Sequence, residues 1–346
     1  MRYRAAIPLL GLLLAAAILA ACGGTPPPSP AATTGRSLET TSISVRLLWV
    51  PQYQFAGYIV AKVKGFYDEV GLDVTLNPGG PEITPVQLVA SGSDDFGVET
   101  PDTVLLARER GIPIVSVATL FQASAGGFMV HSDSGIHSPR DFVGKQVAVS
   151  PGGLQTEYLG MLATTDVDRT GITEVPFEFN IEPFLSRRID VWPIYVTDQP
   201  HVARKQGADV RVLVARDFGV TTIGDGLFTT EAFLAEHPNT TQAFIDATLK
   251  GWDYAVAHAE ETVTILAAYN PELTVDQLTF EAQETIKLLR YGAGATCLGW
   301  NDRAAWEAEQ TMLVDLKILK APVSLDAAMN ATFVTNAYRG QGISCP

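Results

Sequence analysis

Rings and side-chain amides in loop-like stretches are the residues here whose chemistry bears on function. Trp49, Gln52, Gln54, Phe55 and Tyr58 crowd one segment, WVPQYQFAGY, around Pro51. Rings of this kind stack on a flat ligand, and amides offer both a donor and an acceptor to its polar edge. Glu99 and Thr100 close one apolar segment, and Gln122 follows another. Trp192, Tyr195 and Asp198 end a third, and Asp225 sits between two glycines. A carboxylate so placed accepts from a ring N–H or a hydroxyl, or else serves the start of the next helix. Ser150, Gly152 and Gly153 offer backbone N–H groups, with a plain turn as the alternative. Plainer roles stand beside the others. Trp49 and Trp192 also suit a core, Tyr58 the following helix, Gln52 and Gln54 solvent, and Asp225 a hinge turn.

Reaction chemistry is harder to find. The chain has no G-x-S-x-G, P-loop, H-E-x-x-H or G-x-G-x-x-G. Its five His share no ligand spacing, and its three Cys are scattered. No metal, cofactor or catalytic residue is expected. A formal charge of −14 repels phosphates, so nucleic acid is not an expected partner. With 346 residues, 47% of them hydrophobic and 18% charged, the chain suits two lobes of roughly 150 residues each and excludes global disorder.

The elements that must position these residues read as alternating strands and helices. Strands are expected at 42–50, 72–76, 96–98, 114–120, 128–131, 146–150, 177–179, 191–196 and 210–213. Helices fall between them, including 57–70, 85–91, 103–110, 138 onward, 154–163 and 181–188. Such alternation indicates parallel βαβ units. From Thr230 the pattern turns to long helices, including 274–290 and 301–319. Ligands in open α/β sheets bind beyond the carboxyl ends of the strands, where the aromatic and amide residues above lie.

Arg2 and Arg4 precede an uncharged run, Ile7–Ala21, that ends Leu-Ala-Ala-Cys22. The run has about the length of a signal-peptide hydrophobic region and falls short of a bilayer span. Small residues before a cysteine at this point resemble the bacterial lipoprotein signal, which implies lipidation at Cys22. Residues 23–41 are rich in Pro, Thr, Ser and Gly and read as a flexible tether. Cys297 and Cys345 remain, and an even pair in an exported chain reads as a disulfide.

From Trp49 onward the chain resembles solute-binding proteins of ABC importers related to the thiamine-pyrimidine binders. The resemblance rests on Trp49–Tyr58, Lys64-Gly-Phe-Tyr67, Gly71-Leu-Asp-Val74, Pro78-Gly-Gly-Pro81, Asp95-Phe-Gly-Val98, Asp217-Phe-Gly-Val220 and Leu249-Lys-Gly-Trp252. It implies an α/β, two-lobed periplasmic-binding-protein fold of type II, each lobe a mostly parallel sheet flanked by helices. Signal 1–21 and tether 22–41 would precede lobe 1, formed by 42–127 and 230–346, with lobe 2 at 128–229. It also implies an ABC permease as partner, a lipid-anchored extracytoplasmic place and a monomer.

Pyrimidine-binding relatives carry asparagines and a histidine where this chain has Gln52, Gln54 and Phe55. The Gln-Phe-Ala-Gly-Tyr variant resembles the branch assigned to riboflavin uptake. Riboflavin is therefore the first expected ligand and a formylated aminopyrimidine the second. The family's aromatic and acid at the lobe 2 strand end fall on Tyr195 and Asp198, so the expected ring stacks on Trp49 and Tyr195. The same family includes synthases that make the thiamine pyrimidine from pyridoxal phosphate. Their cofactor lysine falls on Glu99, their histidine on Thr103, and their cysteine-rich loop near Val220–Phe228, which holds no Cys. A carboxylate cannot form a Schiff base, so no enzyme is expected.

Overall fold

The computed structural model describes residues 37–346. The expected signal peptide, the expected lipidation site Cys22 and most of the expected tether lie outside the described residues. Elements follow in the order β1 (Ser42–Arg46), α1 (Ala56–Val63), α2 (Phe66–Glu69), β2 (Asp73–Asn77), α3 (Pro85–Ala90), β3 (Phe96–Glu99), α4 (Pro101–Glu109) and β4 (Ile114–Thr119). The chain then crosses into β5 (Gly126–His131), β6 (Gln146–Val149), α5 (Gly153–Thr164), β7 (Thr173–Pro176), α6 (Glu182–Leu185), β8 (Val191–Tyr195), α7 (Gln199–Lys205) and β9 (Val210–Leu213). It returns through β10 (Gly226–Thr230) and ends in α8 (Glu231–Glu236), α9 (Pro238–Ala257), α10 (Ala259–Tyr269), α11 (Val275–Leu289), α12 (Arg303–Asp315), α13 (Leu325–Ala328) and α14 (Thr332–Gly340).

Two five-stranded sheets result, ordered β2-β1-β3-β10-β4 and β7-β6-β8-β5-β9. In each, the fourth strand runs antiparallel to both its neighbours while β1, β2 and β3, or β6, β7 and β8, are parallel. Both sheets are therefore mixed, and they share one connectivity plan. The antiparallel strand is in each case the one that enters by a crossover from the other lobe.

That plan corrects the expected lobe boundaries. The expected boundary puts residues 226–229 in lobe 2, but Gly226–Thr230 forms β10 in the first sheet. Its apolar residues face two sides: Leu227 joins the core under α9 and Phe228 the core under α12. Gly126 and Gly127, expected in lobe 1, open β5 in the second sheet. The two crossovers run side by side, with Ser124 N–H donating to Thr222 O at 3.0 Å and Gly224 N–H to Phe121 O at 2.9 Å.

Other differences are local. The expected 57–70 helix breaks into α1 and α2 because Gly65 takes φ +76°, and Gly71 at φ +79° then ends α2. The expected strand 177–179 lies after β7, so Phe177 and Phe179 leave the sheet edge. The stretch after Asp198, where no helix was expected, forms α7. The tether's last residues are pinned: the Glu39 carboxylate accepts from Thr240 N–H at 2.9 Å and Asn239 Nδ2 at 2.8 Å, at the start of α9. Among the described residues, no helix is long and apolar enough to cross a membrane.

Helix α9 fixes the first loop. It buries Phe244, Ile245, Leu249 and Trp252, and crosses α1 where Gly57 and Gly251 meet. A Cβ at Gly57 would overlap the Trp252 ring, and one at Gly251 would overlap the Gly57 carbonyl. Only hydrogen at both positions permits so close an approach, and that approach holds the Trp49–Phe55 loop over the strand ends. Cys297 and Cys345 form a disulfide with Cα atoms 5.8 Å apart, which ties the tail after α14 to the loop before α12.

Candidate ligand-binding cleft

A cleft of about 450 Å³ opens where the carboxyl ends of β1, β2, β3, β6, β7 and β8 face one another. Lobe 1 supplies Trp49, Gln52, Gln54, Glu99, Thr100 and Thr103, with Gly80, Pro81, Ile83 and Thr84 at the rim. Lobe 2 supplies Ser150–Leu154, Phe177, Phe179, Tyr195, Asp198 and Gln199. No Lys, Arg or His is among these lining residues.

The strand ends explain this convergence. Parallel strands deliver their C-termini to one edge, and each following loop drops its first side chains there. After β3, Glu99 and Thr100 stop at Pro101, which begins α4 and forces the chain to turn. After β1, a tight turn at Tyr53–Phe55 sends Tyr53 and Phe55 into the core while the amides of Gln52 and Gln54 stay at the cleft.

A polar relay crosses the back wall. Gln52 Nε2 donates to Gln54 Oε1 at 2.9 Å, and Gln54 Nε2 donates to Asp225 Oδ2. Tyr195 Oη, from the other lobe, donates to Asp225 Oδ1 at 3.4 Å. Burial pushes Asp225 up to about 6. It pushes Glu99 further, to about 8, so this carboxyl is protonated at neutral pH and can both donate and accept. Asp198 is raised by burial to about 6, and it receives Gln199 Nε2 at 2.7 Å and Gln277 Nε2 at 3.2 Å.

A ladder of rings forms one side. Trp49 stacks on Phe179 with centroids 5.2 Å apart, Phe179 meets Phe177 edge-on at 5.0 Å, and Phe177 leans on Trp192 at 5.1 Å. Phe179 is 63% exposed, an unusual state for a phenyl ring next to a cleft. A further cross-lobe contact lies below, where Thr156 Oγ1 of α5 donates to Asp102 Oδ2 of α4 at 3.0 Å.

The structure brings Trp49, Gln52, Gln54, Glu99, Thr100, Tyr195 and Asp198 into one lining, with Asp225 directly behind Gln54 and Tyr195. Four expected site residues do not reach it. Phe55 is fully buried in the lobe 1 core. Tyr58 faces Trp252 edge-on at 5.6 Å inside that core. Gln122 turns away to donate to the carbonyls of Thr119 and Trp300, at 2.5 and 2.8 Å. Trp192 alternates to the buried face of β8, beside Phe184 and Ile194. Phe177, Phe179, Thr103 and Gln199 were not anticipated. The Phe-x-Phe spacing after a strand was the available signal, and it reads equally as strand alternation.

The NMT1/THI5-like family model matches residues 52–262. The chain belongs to that family. It is 26% identical over 321 residues to the riboflavin-binding protein RibY of Chloroflexus aurantiacus, covering 88% of this chain and 90% of that one. It is 26% identical over 306 residues to the formylaminopyrimidine-binding protein of Halalkalibacterium halodurans, covering 87% and 92%. A 4-amino-5-hydroxymethyl-2-methylpyrimidine phosphate synthase of Candida albicans is 25% identical over 263 residues, covering 71% and 76%. The fold matches that of the periplasmic aliphatic sulphonate binding protein SsuA of Escherichia coli, with a TM-score of 0.68 at 14% identity, covering 83% and 91%. The two-lobed, type II α/β architecture is thereby shown.

Proposed function

We propose that this chain is the solute-binding component of an ABC importer and captures an aromatic heterocycle, riboflavin first, between its two lobes. One observation carries the reading: stacking rings and edge-reading amides from both lobes converge on one cleft at the strand ends. A flat ring would stack on Trp49 once the Trp49–Phe179 pair parts, with Phe179 as the opposing face. Its polar edge meets the Gln52–Gln54–Asp225–Tyr195 relay, and the Glu99 carboxyl supplies a donor as well as an acceptor. Hinge closure about the paired crossovers would bury the ring, the usual motion of two-lobed binders. The similarity to RibY along most of both chains supports the flavin, and the aminopyrimidine-binding relative keeps a smaller ring as the second choice.

A binder is favoured over a synthase. Schiff-base chemistry needs an amine, and among the described residues no Lys lines the cleft. The apolar run ending at Cys22 supports an extracytoplasmic body held by a lipid, and a membrane permease as partner.

Tryptophan fluorescence decides the ligand. Saturable quenching by micromolar riboflavin, with weaker response to the aminopyrimidine and none to taurine, is expected. Saturation by the aminopyrimidine alone would move the ligand to the second choice.

A further inference from the structure

Resting on the heterocycle reading above, the geometry points to selection by charge: we infer that this cleft admits the unphosphorylated heterocycle and rejects its phosphate ester, with Asp198 as the discriminating residue.

Every polar group placed to meet a ligand tail is neutral or acidic. Glu99 and Asp198 line opposite lobes, Asp225 stands behind Gln54 and Tyr195, and Glu281 stands behind Asp198 through Gln277 Nε2, 3.0 Å from Glu281 Oε1. Among the described residues, no cation lines the cleft to answer them. Arg46, at the end of β1, is committed to Asp94 at 2.8 Å and to the Pro78 carbonyl at 2.8 Å.

One electropositive feature does face the space, the start of α5 at Gly153 and Leu154. It is already answered from within the chain. The Asp102 carboxylate accepts from Thr156 Oγ1 in the first turn, and both its oxygens lie 3.6 Å from where a side chain on Gly153 would begin. A helix start that already holds a carboxylate gains little from a phosphate. An entering phosphate would therefore lose its hydration, meet no cation and face acidic groups in a partly desolvated space. Repulsion between charges about 8 Å apart at an effective dielectric of about 20 corresponds to at least about a tenfold loss of affinity.

The test is calorimetric titration of the full chain with three pairs: riboflavin and its 5′-phosphate, hydroxymethylpyrimidine and its phosphate, and thiamine and its monophosphate. In any pair that binds, the ester is expected to be at least about tenfold weaker. The variant Asp198→Asn should narrow that gap several-fold, with its melting curve confirming a folded chain. An ester that binds as well as its parent overturns the inference while leaving the heterocycle reading intact. So does a gap that Asp198→Asn leaves unchanged, since it would assign the discrimination to other residues. Preference for the parent in the pyrimidine or thiamine pair, with both flavins silent, keeps the charge rule and removes riboflavin. Silence from all six compounds overturns both.

Discussion

Trp49 and Phe179 stack across the cleft, one from each lobe, with ring centroids 5.2 Å apart and planes 30° apart. The two rings lie too close to admit a third between them. In this state Phe179 covers the indole face that a flat ligand would use, so binding has to part the pair.

Phe179→Ala should therefore alter ligand affinity without altering stability. The ring is largely exposed, so its removal leaves the melting temperature nearly unchanged. Losing one face of an aromatic sandwich should weaken binding by about 1 kcal/mol, or several-fold. Trp49→Ala should weaken it more and abolish most of the fluorescence response. Titration of both variants against wild type measures this, and an unchanged affinity in Phe179→Ala would return the second face to Tyr195.

Trp192→Ala and Tyr58→Ala should behave in the opposite way. Both side chains are buried, at 2% and 1% exposure, within separate cores. Each truncation is expected to cost about 3–5 kcal/mol of stability, read from chemical denaturation, while the folded fraction keeps its affinity. A large affinity loss at full stability would put Trp192 back in the site.

Stability of the ligand-free protein should fall as pH rises. Burial lifts Glu99 from the usual 4.5 to about 8 and Asp225 from 3.8 to about 6. Between those values the folded chain holds protons that the unfolded chain has released, so folding weakens with rising pH across this interval. The melting temperature is expected to be higher near pH 5 than near pH 8.5. Glu99→Gln, which keeps the shape and removes the ionisation, should flatten the upper part of the fall. A melting temperature that climbs over this range contradicts the assignment.

Removing the Cys297–Cys345 bridge should destabilise the tail. The pair spans 48 residues, and closing a loop of that length in the unfolded chain is worth about 4 kcal/mol on the chain-entropy model. The double Ser variant should lower the denaturant midpoint markedly, and the effect should vanish when wild type is measured under reducing conditions. Equal midpoints with and without reductant would refute it.

What the sequence determined by itself was local. Alternating strands and helices, Gly71 ending α2, Pro101 starting α4 and the polar strand-end loops follow from backbone rules that act over a few residues. These rules place loops at one edge of a sheet, which is why Trp49, Gln52, Gln54, Glu99, Tyr195 and Asp198 could be named. Tertiary structure decided which way side chains turn and which distant segments meet. A single residue of register sends Trp192 to the core of its lobe and leaves Tyr195 at the cleft, and neither type nor spacing distinguishes them. Asp225 reaches Gln54, 171 residues earlier, only because β10 crosses back into the first sheet. Phe179 meets Trp49 only because the two sheets face one another. Contacts of this kind depend on packing between lobes, and no periodicity within either segment encodes them.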